Sequence, residues 1–190
     1  MMREGIPFLT GPRLYLRPLE LEDCEGPYLE WFNNEEICRG NRHHTFPFTP
    51  EKAREYIERT RSATDELVLA IVDRKKETHI GNIALQQISD IFRSADFSII
   101  IGNKAYWRKG YGTEAGRLLL HHGFSRLNLH RVACGTFASN TGMQKLALAL
   151  GMKKEGRRRQ AAYVGGRYVD VIEFGVLKDE YEKFRARNTG

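Results

Sequence analysis

Apolar residues recur with a period of two in several short runs of this chain and with a helical period in others, and their order sketches an architecture. Residues 13–17 (Arg-Leu-Tyr-Leu-Arg) alternate as a short strand does, and Pro18 ends it. Asp23 followed by Tyr28, Trp31 and Phe32 predicts a helix, and an irregular segment with adjacent histidines runs over 40–48. Thr49-Pro50-Glu51-Lys52 has the order of an N-cap with proline at the first helical position, opening a helix to about Arg61. Residues 67–72 and 79–87 are β-rich runs joined by the charged stretch 73–78, as in a hairpin. In 94–101 the period of two puts Phe97, Ile99 and Ile101 on one face and Ser98 and Ile100 on the other.

A helix follows at 114–124, then a strand at 131–137 and a helix at 141–150 that Gly151 stops. The arms 153–164 and 167–176 read as a hairpin turned at Gly165-Gly166, a dipeptide able to take the positive φ of tight turns, and 178–187 as a terminal helix. Antiparallel strands first and a β-α-β-α-β section afterwards predict an α+β fold. No internal repeat or long linker divides the chain, which predicts a single domain over 1–190.

Composition narrows this picture only slightly. With 41% hydrophobic residues and 6 prolines in 190, the chain can bury a core. Its 3 cysteines, Cys24, Cys38 and Cys134, share no CxxC spacing and point to neither a disulfide framework nor a zinc site. No apolar stretch approaches the roughly 20 residues of a membrane span, and no secretory start is visible, so a cytoplasmic location without membrane association is expected. The 30 Lys+Arg exceed the 24 Asp+Glu by 6, an excess compatible with an anionic ligand.

Candidate chemistry concentrates in Trp107-Arg108-Lys109-Gly110-Tyr111-Gly112-Thr113. Placed after a strand and at the start of a helix, it offers consecutive backbone N–H groups, two glycines that admit a ligand closely, and the positive end of a helix dipole. A pyrophosphate suits such a site, and Arg108 and Lys109 add formal charge. A Walker A loop, GxxxxGK[ST], is absent. Residues 110–115 do satisfy GxGxx[GA], but about 20 residues on, His130, Arg131 and Val132 stand where a dinucleotide fold places its acidic ribose ligand. The position past midchain, after antiparallel strands, also disfavours a nicotinamide site.

The same segment resembles the acetyl-CoA loop of the GNAT family of N-acetyltransferases, [QR]-x-x-G-x-[GA], with Trp107 in place of the first Gln or Arg. Its Tyr-Trp-x-Lys-Gly-Tyr-Gly-Thr-Glu-Ala wording is similar to the branch that holds the RimJ and RimL ribosomal-protein, polyamine and amino-sugar acetyltransferases. Asn140-x-x-Met143-x-Lys145, continuing to Gly151-Met152, and Thr10-x-x-Arg13-Leu-x-Leu-Arg17-Pro18 resemble two further segments of that branch. The resemblance spans about residues 10–181.

It implies a mixed, mostly antiparallel sheet of about seven strands flanked by four to five helices, with two central parallel strands splayed to hold the pantetheine arm. Ile100, Ile101 and Gly102 would hold the thioester end, the loop Trp107, Arg108, Lys109, Gly110, Tyr111, Gly112 and Thr113 the pyrophosphate, and Asn140 and Lys145 a second cofactor segment. The cosubstrate would be acetyl-CoA, with no metal. The acceptor would be a primary amine on an amino sugar, another small molecule or a protein N-terminus, by direct transfer in a ternary complex. An acyl-CoA-binding module with little catalysis is the alternative. A homodimer is left open.

Acetyl transfer needs a proton acceptor for the amine and a proton for the departing thiolate. Many family members supply the latter with a tyrosine at the position occupied here by Ala147, so Tyr163 and Tyr168 of the hairpin are the nearest substitutes. Asp96 is the candidate base; orienting an arginine or binding the amine is the equal alternative. His43, His44 and Phe46 lie where the family builds its acceptor pocket, though an ordinary surface loop would look the same. Adjacent histidines cannot form an i, i+4 metal pair. The run 153–159 (Lys-Lys-Glu-Gly-Arg-Arg-Arg) reads as a solvated strand edge or as a contact for an anionic acceptor, the latter favoured over polyamines by the net charge. No nucleic-acid-binding motif accompanies it.

Overall fold

In the computed structural model, which describes residues 6–41 and 43–188, the first element is a two-residue strand, β1 (Leu9–Thr10), paired antiparallel to β2 (Leu14–Pro18). The helix expected near Trp31 is broken into three pieces: a 3-10 turn at Leu21–Glu25, α1 (Tyr28–Phe32) and α2 (Glu35–Cys38). Asn33 and Asn34 explain the last break. Asn34 turns its side chain to Ile37 N (3.2 Å) and caps a new helix, while Asn33 binds the Phe48 backbone through both its donor and its acceptor. α3 (Pro50–Ser62) starts where the Thr49 oxygen accepts from Lys52 N, a cap worth about 1 kcal/mol.

The remaining elements are β3 (Leu67–Asp73), β4 (Thr78–Ser89), β5 (Ser94–Ile101), α4 (Tyr111–Ser125), β6 (Arg131–Phe137), α5 (Thr141–Ala149), β7 (Lys153–Val164), β8 (Arg167–Leu177) and α6 (Lys178–Asn188). They form one eight-stranded sheet of order β1-β2-β3-β4-β5-β6-β8-β7, with β5–β6 its parallel pair. The sheet thus has one strand more than about seven, the short β1, and the six α-helices exceed the expected number because of the break at Asn33-Asn34. Its α+β class is that expected.

Two apolar layers cover opposite faces. Leu14, Leu16, Leu69, Ile71, Ile83 and Phe97 face Leu119, Leu120 and Phe124 of α4 and Ala147 and Leu150 at α5, while Tyr15, Val68, Ala70 and Ala84 face Tyr28, Trp31, Phe32 and Ile57 of α1 and α3. Alternation along β2, β3 and β4 produces this division directly. The second layer also holds a buried polar cluster: Arg17 binds Asp23 with two bonds of 2.7 and 2.8 Å, and His79 Nδ1 lies 3.1 Å from the same carboxylate.

β5 and β6 pair only over Ser94–Arg131, Ala95–Val132 and Asp96–Ala133. Beyond Asp96 each continues alone, β5 against β4 and β6 against β8. The central parallel strands therefore diverge into a gap that opens toward the start of α4.

Candidate active site

The loop that ends the gap is built by three local interactions. Asn103 caps a 3-10 turn at Lys104–Tyr106 by accepting from Ala105 N (3.0 Å), and Trp107 then folds back so that its indole N–H donates to the Ile101 carbonyl (2.6 Å). Arg108 (φ 58°) and Gly110 (φ 81°) both take left-handed backbone, which turns the chain into α4. Gly110 is the N-cap and brings no side-chain oxygen, so the first-turn amides of α4 remain open, whereas α3 and α5 are capped by Thr49 and Asn140. An uncapped helix start suits an anion.

The two glycines of the loop differ in what requires them. Gly110 is demanded by its positive φ. At Gly112 an added Cβ would make only ordinary contacts, 3.6 Å to Ile99, 3.7 Å to Leu146 and 3.9 Å to Ile101. Nothing in the fold itself excludes a side chain there, and the residues around it are those of the gap, so the site leaves room for a ligand to approach the backbone closely.

The flanking side chains hold the loop in place. Glu114 accepts from Arg13 N (2.8 Å), Leu14 N (3.3 Å) and Arg13 Nε (2.7 Å), tying α4 to β2. Arg13 also donates to the Lys109 carbonyl (2.9 Å) and lies over the Tyr111 ring. The Tyr111 hydroxyl donates to Asp73 (2.6 Å), and that bond, with desolvation, pushes its phenol up to about 12. Tyr111 and Trp107 are thus anchors for the loop, and Arg108 and Lys109 are its exposed cations.

Which backbone groups face the gap follows from the pairing. Gly102 N donates to Ile80 of β4 (2.9 Å), and successive amides along a strand point to opposite sides, so Ile100 also faces β4 while Ile99 and Ile101 face the gap. On β6, Lys178 N donates to the His130 carbonyl and Ala138 N to the Asp170 carbonyl, which by the same alternation turns Gly135 toward the gap. The assignment of the thioester contact to Ile100 and Gly102 is corrected here: their amides are committed to β4, and Gly102 is glycine because a Cβ would lie inside the Trp31 indole. Ile99, whose backbone faces the gap, is not singled out by the sequence: its orientation depends on the register with β4, which nothing within β5 encodes.

Asp96 stands at the root of the gap, on the face shared with Ser98 and Ile100 and turned toward α1 and α3. Desolvation, and then the charge of Glu173, raise its carboxyl above the ordinary aspartate range, against the opposing effect of Arg131. Glu173, on β8 beside Gly135, is bound by Arg158 (2.6 Å). Asp96, and Glu173 with its Arg158 partner, thus flank the inner end of the gap.

The other expected residues are more scattered. Asn140 caps α5 by accepting from Met143 N (3.1 Å) and donates to the Gly40 carbonyl (3.2 Å), so its side chain joins the α2 end to α5. Lys145 is exposed on α5. Ala147 is fully buried in the cluster that holds Leu150 and Met152, and its own side chain offers no hydroxyl. Tyr163 sits in the overhanging part of the β7–β8 hairpin, 65% exposed, with Tyr168 as its ring partner (5.1 Å) rather than a residue of the gap. His43, His44 and Phe46 line one hollow of about 210 Å³ with Phe32, Phe48 and Lys52, on the same side of the sheet as Asp96. Cys134 is buried against Met152, and desolvation pushes its thiol up to about 12, which disfavours the thiolate a nucleophile needs.

A family model described as an acetyltransferase (GNAT) domain matches residues 13–153. The uncharacterized N-acetyltransferase p20 of Bacillus licheniformis is 31% identical over 177 residues, covering 91% of this chain and 97% of its own. The spermidine N(1)-acetyltransferase of Escherichia coli (strain K12) is 26% identical over 166 residues, 87% of each chain. Among solved structures, the spermidine N-acetyltransferase of Vibrio cholerae in complex with CoA and spermine superposes with a TM-score of 0.80 at 26% identity, over 90% of this chain and 98% of that one. The family model covers most of the chain and the fold and sequence agree with those of the relatives, so the chain belongs to the GNAT family as an acetyltransferase enzyme.

Proposed function

We propose that this enzyme transfers the acetyl group of acetyl-CoA directly to a primary amine of a small cationic molecule while both substrates are bound. The observation that carries the reading is the strip of strand-unpaired backbone at Ile99, Ile101 and Gly135, which leads from the uncapped α4 N-terminus to Asp96. The pyrophosphate belongs at Gly110 to Thr113 and the pantetheine arm along the strip. An amide of β5 that donates to the thioester oxygen stabilises the negative charge that grows there during attack.

The amine attacks as its neutral form, a C–N bond forms and the C–S bond breaks. Its proton passes to Asp96, directly or through water, and CoA leaves as a thiolate, since position 147 offers no donor. Local charge favours a cationic acceptor over a phosphorylated one. Three cations of the basic run at 153–159 are bound to acids, Lys153 to Glu180, Arg157 to Asp170 and Arg158 to Glu173, while Asp96, which forms no ion pair among the described residues, sits at the gap. The spermidine enzymes among the relatives support the same acceptor class.

CoA release measured with acetyl-CoA and a panel of polyamines, amino sugars and peptides tests the reading. Turnover with a small amine, with peptides poor, is the expected result. Stabilisation by acetyl-CoA without CoA release from any amine would overturn it.

A further inference from the structure

Three of the cations of β7 are paired with acids, and a second concentration of positive charge lies at another place. A cleft of about 690 Å³ lies between the start of β2, the β3–β4 turn and the segment before α4, and its lining includes Arg13, Arg74, Lys75, Lys76 and Lys109. One carboxylate faces them, Asp73, whose oxygens are held by neutral donors and whose charge offsets part of that of Lys76. One oxygen accepts from the Tyr111 hydroxyl, and the other from the amides of Lys75 (3.0 Å) and Lys76 (2.8 Å). The nearby Glu77 accepts from the Tyr15 hydroxyl (2.7 Å). Arg13 is shared between Glu114 and the Lys109 carbonyl, and Arg74 is held by the Gly11 carbonyl (2.9 Å). The ammonium groups of Lys75, Lys76 and Lys109 form no ion pair within 4.0 Å among the described residues, and one carboxylate faces the five cations of the cleft.

Cations gathered in a concave site repel one another unless an anion joins them. The cleft flanks the glycine loop on the side away from the gap: a Cβ on Gly110 would meet the Arg13 guanidinium, whereas one on Gly112 would meet Ile99 and Leu146. A diphosphate resting on the α4 N-terminus would therefore have the acyl channel on one flank and this cleft on the other.

We infer that the cleft is a phosphate-monoester site, formed by Lys75, Lys76 and Lys109 with Arg13 behind them. Two sources carry that group: the ribose 3′-phosphate of CoA itself, which rests on the proposed acetyl-CoA reading, and a separate phosphorylated ligand. The first needs no further molecule and is the one the adjacency to the loop favours.

Titration of the protein with CoA, dephospho-CoA and inorganic phosphate decides the matter, in wild type, in Lys75→Glu/Lys76→Glu, in the milder Lys75→Gln/Lys76→Gln and in a charge-matched control, Lys154→Glu/Arg159→Glu, on the far edge. Wild type should bind CoA about tenfold tighter than dephospho-CoA. The cleft variants should abolish that preference and leave dephospho-CoA affinity nearly unchanged, and the control should keep it. Equal binding of CoA and dephospho-CoA, with phosphate binding lost only in the cleft variants, supports the site and assigns it to a separate ligand. Insensitivity of both the CoA preference and phosphate binding to the cleft variants overturns it. Failure of wild type to bind either CoA form would overturn the acetyl-CoA reading instead, and the phosphate titration would still judge the cleft.

Discussion

At the scale of single residues, Asp96 separates two roles that share one location. A carboxylate that takes the proton of the amine acts in the rate, whereas one that only holds an ammonium acts in its binding. Asp96→Asn should therefore lower kcat by about a hundredfold or more with little change in acetyl-CoA affinity; an effect confined to the acceptor KM would make Asp96 a binding group. The active form of the base is the anion. Because desolvation and Glu173 raise the Asp96 carboxyl, activity should rise with pH through that raised value, and the acid limb should vanish in the Asn variant. Glu173→Gln removes the like charge, so the limb should move to lower pH.

Asp23 shows the opposite sign. Desolvation alone would raise its carboxyl, but the bonds from Arg17 and His79 outweigh this and hold it well below the usual carboxylate range. A depressed folded value means that its stabilisation is complete above the unfolded value, about 4, and is lost as pH falls through the folded one. Asp23→Asn leaves Arg17 buried against a neutral partner and should cost about 3 kcal/mol at neutral pH in urea unfolding, with a gap to wild type that narrows in acid.

At the scale of elements, Gly112 and Gly102 should respond oppositely to the same methyl group. Gly112→Ala adds a Cβ that the fold accepts and a better helix former, so melting temperature should hold or rise while acetyl-CoA affinity falls about tenfold. Gly102→Ala must displace Trp31 from the second core layer, so stability itself should drop. Thermal melts with and without acetyl-CoA distinguish the two, and a Gly112→Ala protein that binds as wild type would remove ligand approach as the reason for that glycine. The pair also marks where the sequence was legible. The strands 94–101 and 131–137, the Thr49 cap and the glycine loop are written in local patterns of residues, and all stand where those patterns put them. The split of the first helix turns on Asn33 reaching Phe48, the need for Gly102 on a tryptophan far back in the chain, and the choice of Ile99 over Ile100 on pairing with β4. Each is a contact between distant segments, which no local pattern records.

At the scale of the whole molecule, the net charge of +6 is divided unevenly. The densest basic run in the sequence lies on β7, an edge strand, where Glu180, Asp170 and Glu173 neutralise Lys153, Arg157 and Arg158, while Glu155 of the run is taken by Arg131. Such exposed pairs contribute little to stability individually, but they reduce the positive charge that edge presents to anions. The field that an incoming polyanion meets is thus set by Arg13, Arg74, Lys75, Lys76, Arg108 and Lys109 around the α4 N-terminus. Screening shortens the reach of exposed charges to about 10 Å at 0.1 M salt. Association with CoA should consequently slow steeply as salt is raised, by about tenfold toward half-molar concentrations, in stopped-flow binding. Lys153→Gln/Arg157→Gln, which lowers the net charge by the same amount as Lys75→Gln/Lys76→Gln, should leave that salt slope intact, while the latter pair flattens it. Equal flattening by both pairs would mean that the total charge, and not its placement, steers the ligand.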